Sequence, residues 1–238
     1  MAINRTGITR REALGCAAAL ASFAGSGQAA VGDEVHLVRV PAPGLQPQVV
    51  ADAAGDLHLI YYSGDPRQGD LYYARSHDSG ATFSAPLRVN SQDGSAIAAG
   101  TIRGGQLAIG KNSRAHVAWN GSGKAAPRGP INPDSSKPGE PMLYARLNDS
   151  GTSFEPQRNL MLHSFGLDGG GSLAADDTGN VYVAWHGVGE SEATGTGKEG
   201  EARRRVWVTR SMDQGRSFQT EAKAWAEETG ACGCCGMK

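Results

Sequence analysis

The sequence predicts an all-β protein, a β-propeller built from four-stranded blades. One turn motif occurs three times along the chain, and each copy stands at the same place within a series of four short β-like runs. The composition agrees, because 34 of the 238 residues are glycine and only 6% are aromatic. A four-stranded meander that recurs in series is typical of a propeller blade. A solenoid or a stacked sandwich is the alternative architecture.

The repeated turn motif occupies residues 76–83, 147–154 and 211–218. Its shared residues are an aspartate, a glycine two positions later and a phenylalanine three positions after that: Asp78, Gly80 and Phe83; Asp149, Gly151 and Phe154; Asp213, Gly215 and Phe218. In a tight turn, a short acidic side chain accepts hydrogen bonds from nearby backbone amides, and glycine supplies a positive φ. The aromatic ring then begins the next strand and packs beneath the turn. These residues are therefore interpreted as structural.

Residues 1–29 are predicted to be a twin-arginine signal peptide. Arg10 and Arg11 precede a weakly apolar, alanine-rich stretch that is too short for a membrane span, and small residues lead to a cleavage site after Ala29. We therefore expect a periplasmic or secreted protein with no membrane insertion after signal cleavage. A basic start followed by a chance run of alanines is the alternative.

Residues 30–238 are predicted to form part of the propeller, with blades at about 47–90, 105–161 and 171–225. Apolar alternation between turn signals predicts four strands in each blade: 47–52, 57–62, 71–75 and 84–90; 106–109, 115–119, 142–146 and 155–161; 171–175, 181–185, 205–210 and 219–225. Residues 230–238 stand where a fourth blade would begin. Propellers close with four to eight blades. The chain is therefore expected to belong to a longer protein or to oligomerise to close its ring, and the first is favoured.

The strand order predicts which face carries function. With strands a to d named outward from the axis, the a–b and c–d turns lie on one face, whereas the b–c loops and the connectors between blades lie on the other. Loops on a rigid scaffold are where binding and catalytic groups concentrate. The predicted b–c loops are residues 63–70, 121–141 and 186–204, and the two long ones suggest a substrate rim or disordered decoration.

Several polar residues are offered to that second face. The candidate catalytic residues are Asp70 and Asp65, and the candidate substrate-binding residues are Arg103, Arg67, Asp168 and His186, with His163 and Glu190 nearby. A carboxyl can act as a general acid, and arginine binds a carboxylate through two parallel hydrogen bonds. Surface Asp and Arg are common, however, and a Trp-His pair at a strand end is more often packing. Each residue therefore also has a structural interpretation.

Net charge and cysteine content limit which partners and metal sites the chain can be expected to have. The net charge of −1, without a basic stripe, predicts no nucleic-acid partner. No cofactor or metal is expected at the candidate site. Cys232, Cys234 and Cys235 leave an odd count after signal cleavage, which favours disulfides with partners elsewhere. A soft-metal or redox cluster is the alternative.

The three motifs, each following a strand that ends in arginine, resemble the Asp-boxes of the sialidase superfamily, the bacterial neuraminidase repeats. The resemblance covers residues 48 to 218. It implies a six-bladed propeller in an exported bacterial protein, although Asp-boxes also occur in propellers that are not sialidases. Family sialidases cleave terminal sialic acid with retention, using three arginines on the substrate carboxylate, an acidic Asp and a Tyr–Glu nucleophile pair.

Carried over to this chain, the resemblance implies that Asp70 or Asp65 is the acid, because the family's Asp lies in the first b–c loop. The family's Arg-Ile-Pro motif is not matched: Leu45, Gln46 and Pro47 align with it, and Arg39 lies six residues too early. We therefore expect a sialidase-like glycoside hydrolase of exo-α-sialidase type, acting on terminal anionic sugars of a carbohydrate or glycoconjugate. The alternative is a non-catalytic Asp-box propeller that binds glycan or protein.

Overall fold

The computed structural model describes residues 37–40, 43–99, 104–130, 140–165, 170–190 and 203–229. The chain divides into two compact units, Met1–Leu37 and Val38–Lys238, and every described strand belongs to the second. Several predictions lie outside the described residues: the signal peptide at 1–29, Arg103, Asp168, the cysteines at 232, 234 and 235, and the start of a fourth blade at 230–238.

The described strands form antiparallel sheets in which neighbours along the chain are neighbours in space. Sheet 1 contains β1 (Leu45–Ala51), β2 (Leu57–Asp65), β3 (Gln68–Ser76) and β4 (Leu87–Arg88). Sheet 2 contains β5 (Gln106–Gly110), β6 (Arg114–Asn120), β7 (Met142–Arg146) and β8 (Arg158–Asn159). Sheet 3 contains β10 (Gly171–Ala175), β11 (Val181–Gly189), β12 (Arg205–Ser211) and β13 (Ala222–Lys223), and β9 (Ser164–Phe165) pairs with the end of β11. The prediction of an all-β protein with several antiparallel sheets is confirmed for these residues.

Local turn hydrogen bonds stabilise the first reversal of the chain in sheets 1 and 3. In sheet 1, Asp52 Oδ1 accepts hydrogen bonds from the backbone N–H groups of Ala54 (2.9 Å) and Asp56 (3.0 Å). Gly55 adopts φ of +89°, which glycine tolerates without steric cost. Asp176 makes the corresponding two bonds in sheet 3. Hydrogen bonds within the turn therefore stabilise these two reversals.

The core lies between consecutive sheets, because alternate side chains of the strands point to opposite faces. The cluster between sheets 1 and 2 is centred on Ile60, Tyr62, Leu71, Tyr73, Leu107, Val117, Trp119 and Leu143. The cluster between sheets 2 and 3 is centred on Met142, Tyr144, Met161, Val181, Val183, Trp185 and Trp207. Full burial of one large apolar side chain contributes about 1.5–3 kcal/mol. These two clusters therefore hold the sheets together.

The phenylalanine of the turn motif takes part in these contacts between sheets. The ring of Phe154 meets the ring of Tyr73 edge-on, with centroids 5.5 Å apart, and Phe218 meets Tyr144 in the same way at 4.8 Å. In both cases the phenylalanine belongs to the following sheet and the tyrosine to the preceding one. The predicted packing beneath the turn is thus a contact with the neighbouring sheet, repeated at equivalent positions.

Two predicted boundaries are wrong. Residues 63–70 are not an irregular loop, since β2 and β3 pair as far as Asp65 and Gln68, which leaves a turn of only Pro66 and Arg67. Gly64 has a positive φ of 108°, and Asp65 Oδ1 accepts the Arg67 N–H at 2.8 Å, so this tight hairpin is locally stabilised. The fourth strand of each sheet is also shorter than predicted, with two paired residues each.

Candidate functional site

The connections between strands gather on two opposite faces, as the strand order predicts. On one face the connector residue Ala96 bridges to both Gly69, the second residue of β3, and Gly121, which directly follows β6. On the other face the turn residue Gln214 donates its backbone N–H to Gly179 O at 2.9 Å, so a c–d turn contacts an a–b turn. The predicted division of turns is confirmed for the described residues.

A cavity of about 440 Å³ opens on the face of the b–c segments and connectors. Its lining comes from the turn of sheet 1, the connector to sheet 2 and both ends of the long b–c segment of sheet 2: Arg67, Gln68, Ile97, Ala99, Ser122, Gly123, Lys124 and Glu140. The volume suits one or two sugar rings. This is the face to which the sequence assigned binding and catalysis.

The charges in this cavity are two cations and one carboxyl. Arg67 and Lys124 are exposed, whereas Glu140 is half-buried. Desolvation raises the pKa of Glu140 above its ordinary value, and the charge of Arg128 opposes that shift only in part. A carboxyl with a raised pKa beside cations in a cleft is suited to give a proton to a bound anionic ligand.

The wall that carries Lys124 is held by a hydrogen-bond network from the connector between sheets 1 and 2. Gln92 Nε2 donates to Lys124 O at 2.9 Å, and its Oε1 accepts the Ala126 N–H at 2.7 Å. Ser122 Oγ donates to Gly94 O at 2.7 Å. These contacts hold the backbone of the cavity wall at Lys124 through residues about 30 positions away in sequence.

Gln157 extends that network from sheet 2. Its side chain is buried, and Oε1 accepts hydrogen bonds from Ser91 N at 3.1 Å and Ser95 Oγ at 3.0 Å. Its Nε2 donates to Ala126 O at 2.6 Å. One amide therefore ties the fourth strand of sheet 2 to the connector and to the b–c segment together.

Glu221 occupies the same place in sheet 3, three residues after the motif phenylalanine. Its Oε1 accepts the backbone N–H groups of Leu162 (2.7 Å), His163 (2.6 Å) and Ser164 (3.1 Å). Neither Gln157 nor Glu221 was singled out from the sequence. Their shared offset from the motif was the available signal.

The two predicted catalytic carboxylates have partners within the fold. Asp70 lies in β3, where its Oδ1 accepts hydrogen bonds from Asn90 Nδ2 at 2.7 Å and from Gly94 N at 2.8 Å. Asp65 holds the Arg67 turn described above. Asp70 does not line the cavity but lies behind its wall, connected through Gly94 to Ser122. Their catalytic role stays a prediction.

The other predicted residues divide between the cavity and the rest of the protein. Arg67 lines the cavity. His186 is buried, and its Nε2 forms a hydrogen bond with Thr229 Oγ1, which fits the packing interpretation. His163 and Glu190 form an exposed pair at 3.5 Å on sheet 3. Glu140 and Lys124 were missed, because they lie in a long irregular segment where no motif separates one polar residue from another.

The motif aspartates of sheets 1 and 3 have the contacts that a structural role requires. Asp78 accepts hydrogen bonds from Thr82 Oγ1 at 2.6 Å, Thr82 N at 2.9 Å and Ser76 Oγ at 2.8 Å. These bonds lower the pKa of Asp78 to about 2. Asp213 makes the same set of contacts with Ser217 and Ser211.

The second motif departs from this pattern. Asn148 Oδ1, not Asp149, accepts the backbone N–H four residues later, from Thr152 at 3.0 Å. Asp149 instead contacts Arg114 Nη2 at 2.6 Å and Arg216 Nη2 at 3.0 Å, the latter on sheet 3. The interpretation that its own turn uses this carboxylate is therefore wrong for Asp149. The cause is the asparagine one position earlier, which can make the same turn bonds.

The described residues contain neither a cluster of metal ligands nor a membrane-spanning helix. No group of three or more His, Cys, Asp or Glu side chains there is arranged to hold a metal ion. None of the helical segments that the structure describes has the length and apolar character needed to span a membrane.

Comparisons with known proteins gave matches among solved structures alone. No family model and no curated protein matches the chain. Among solved structures, it is similar to a Hadza microbial sialidase, with 16% identity, a TM-score of 0.48, and coverage of 74% of this chain and 36% of that one. It is similar to a Penicillium chrysogenum α-L-arabinanase complexed with arabinobiose, with 15% identity, a TM-score of 0.47, and coverage of 78% of this chain and 50% of that one. It is also similar to a Trypanosoma rangeli sialidase in complex with the inhibitor DANA, with 11% identity, a TM-score of 0.47, and coverage of 76% of this chain and 31% of that one.

The chain spans between about a third and a half of the length of these proteins. Sialidases are among the solved structures to which it is similar.

Proposed function

We propose that this chain is part of an exported, sialidase-like glycoside hydrolase whose three described sheets are blades of a propeller, and that it binds a terminal anionic sugar in the cavity between sheets 1 and 2. The observation that carries the proposal is the grouping of Arg67, Lys124 and Glu140 in one cavity. Export rests on the twin-arginine pattern at Arg10 and Arg11 alone.

Each of the three side chains has a role in this proposal. Arg67 binds the sugar carboxylate through its guanidinium, and Lys124 adds a second positive charge at the opposite wall. Glu140, which keeps its proton to a higher pH than an exposed glutamate, protonates the oxygen of the glycosidic bond as it breaks. Asp70 is the competing candidate for the acid, as the family resemblance implies.

Hydrolysis of a fluorogenic sialoside tests the proposal and separates the two acids. We expect release of the fluorophore by the full-length protein and a fall in kcat of about 100-fold or more for Glu140→Gln, the range typical of a general acid. Glu190→Gln is the matched control, because Glu190 is an exposed glutamate on sheet 3. Activity should fall as the pH rises above the pKa of Glu140, since only the protonated acid can donate.

Two results would count against this assignment. A loss of activity in Asp70→Asn with none in Glu140→Gln would move the acid to Asp70. No release by the wild-type protein would exclude the hydrolase.

A non-catalytic sugar-binding propeller is the second candidate. It is favoured by one observation: both Asp70 and Asp65 are used by the fold itself, which leaves Glu140 as the one carboxyl lining the described cavity. A glycan array distinguishes the two, because binding of sialylated or uronate glycans without turnover supports the binding module. Loss of that binding in Arg67→Met would place the ligand in the same cavity.

A further inference from the structure

Residues 91–99, in the connector between sheets 1 and 2, contact both cation-bearing walls of the cavity. Ile97 of this stretch lines the cavity itself. At one end, the Ala98 N–H donates a hydrogen bond to Pro66 O at 2.8 Å, and Pro66 directly precedes Arg67. The connector therefore holds the wall that carries Arg67.

The same connector holds the wall that carries Lys124. The side-chain amide of Gln92 donates to Lys124 O and accepts the Ala126 N–H, as a peptide group of a neighbouring strand would. Three residues later along the connector, Ser95 O accepts the Ser122 N–H at 2.9 Å. One short stretch of chain is thus bonded to both walls.

The segment that carries Lys124 has little regular structure of its own to hold it in place. Its described residues 122–130 form no strand. A Cβ at Gly123 would meet no atom within 4 Å, so the backbone beside Lys124 faces open space. Irregular, glycine-containing backbone has many accessible conformations, and fixing one of them costs conformational entropy. Hydrogen bonds from the connector hold one conformation before any ligand binds.

The bonds to this segment are not a general requirement of the repeat. Gln157 and Glu221 are equivalent residues, and both bond to the connector that precedes their sheet. Gln157 in addition donates from Nε2 to Ala126 O at 2.6 Å. An ionised carboxylate can only accept hydrogen bonds, so Glu221 could not make that bond. The additional bond of sheet 2 goes to the wall that carries Lys124.

We propose that residues 92–98 act as a strap that fixes the spacing of Arg67 and Lys124, and that Gln92 is a positioning residue that acts on an anionic ligand through Lys124. The inference rests on the proposed function for the chemistry of that ligand. A wall that is ordered beforehand avoids the entropic cost of ordering on binding, so Gln92 should affect affinity. Its side chain bonds backbone atoms of the wall and not a reacting group, so the rate of the chemical step should not depend on it.

Calorimetric binding of a non-hydrolysable sialic acid analogue to the full-length protein tests the coupling between Gln92 and Lys124. Gln92→Met and Lys124→Met should each raise Kd about fivefold, the upper range for one exposed ion pair. The double variant should bind no more weakly than either single variant, because both changes remove the same contact. The losses from Gln92→Met and Arg67→Met should instead add. With a fluorogenic sialoside, Gln92→Met should raise KM and leave kcat unchanged, whereas Gln219→Met, which changes an exposed glutamine between β12 and β13, should alter neither.

Amide hydrogen exchange tests the strap without any ligand. In Gln92→Met the Ala126 N–H should exchange faster than in the wild type, whereas the amides of β6 should keep their protection. Unchanged exchange at Ala126, faster exchange throughout β6, or additive losses for Gln92→Met and Lys124→Met would overturn the proposal. If the wild type binds no analogue, the proposed function fails, and the exchange at Ala126 alone then supports or overturns the strap.

Discussion

The buried histidine of sheet 2 makes the stability of the protein depend on pH in a calculable way. His116 is fully buried, and its Nδ1 lies 2.6 Å from Tyr144 Oη. Burial, together with the nearby charges of Arg114 and Arg146, lowers the pKa of His116 from 6.5 to about 3. At any pH between these two values, His116 is therefore protonated in the unfolded chain and neutral in the folded chain.

The sign and size of the effect follow from that difference. Stability from His116 is complete above pH 6.5 and falls as the pH is lowered toward 3. Proton linkage at one such site predicts a loss of about 2 kcal/mol between pH 7.5 and pH 5 and about 5 kcal/mol in full, at roughly 1.4 kcal/mol per pH unit. His58, whose pKa burial also lowers, adds a loss of the same sign.

Urea unfolding of the wild type and of His116→Gln, at one protein concentration, isolates the contribution of His116. The wild type should lose about 2 kcal/mol more than the variant between pH 7.5 and pH 5. His163→Gln is the matched control, because the His163 side chain is 62% exposed. Equal losses in the wild type and His116→Gln would refute the reasoning, since the glutamine cannot take up the proton.

Three further predictions concern the fold. Gly69→Ala should cost about 1–3 kcal/mol of unfolding free energy, because its Cβ would lie 2.5 Å from Ser63 O, whereas Gly123→Ala, with no atom within 4 Å, should be neutral in thermal melts. Gln157→Met should cost about 1–3 kcal/mol in urea unfolding by leaving buried partners unbonded, and the exposed Gln219→Met should not. Asp149→Ala should lower the free energy of unfolding less in 1 M NaCl than at low salt, because it removes ion pairs that salt screens. Asp213→Ala removes turn hydrogen bonds, so its effect should be the same at both salt concentrations. An equal salt response in the two variants would contradict these different roles.

Much of the strand pattern could be predicted because it depends on local alternation and turn chemistry. The strands Met142–Arg146 and Gly171–Ala175 have the predicted bounds, and each is flanked by residues that stop a strand. The extension of β2 to Asp65 was not predicted, because Gly64, Asp65 and Pro66 are typical loop residues; in the structure Gly64 and Asp65 pair with Gly69 and Gln68 of β3, and Gly69 also bridges to Ala96 of the next connector.

The cavity opens on the face to which the sequence assigns the candidate site, and one of the candidate residues lines it. Arg67 lines the cavity, whereas Asp70 is held by Asn90 and Gly94. Glu140 could not be singled out, since its importance arises from burial against segments distant in the chain. The different role of Asp149 could not be predicted for another reason. Asn148 and Asp149 are adjacent residues that can make the same turn hydrogen bonds, and aligning the three motifs by residue type pairs Asp149 with Asp78, although Asn148 makes the bond.

The position of a bound sugar tests the central proposal most directly. A crystal structure with a non-hydrolysable sialic acid analogue should show the ligand in the cavity lined by Arg67, Lys124 and Glu140, with its carboxylate within hydrogen-bond distance of Arg67. Ligand density on the opposite face, beside the turns that carry Asp78 and Asp213, would contradict the account, as would a cavity left empty at saturating ligand.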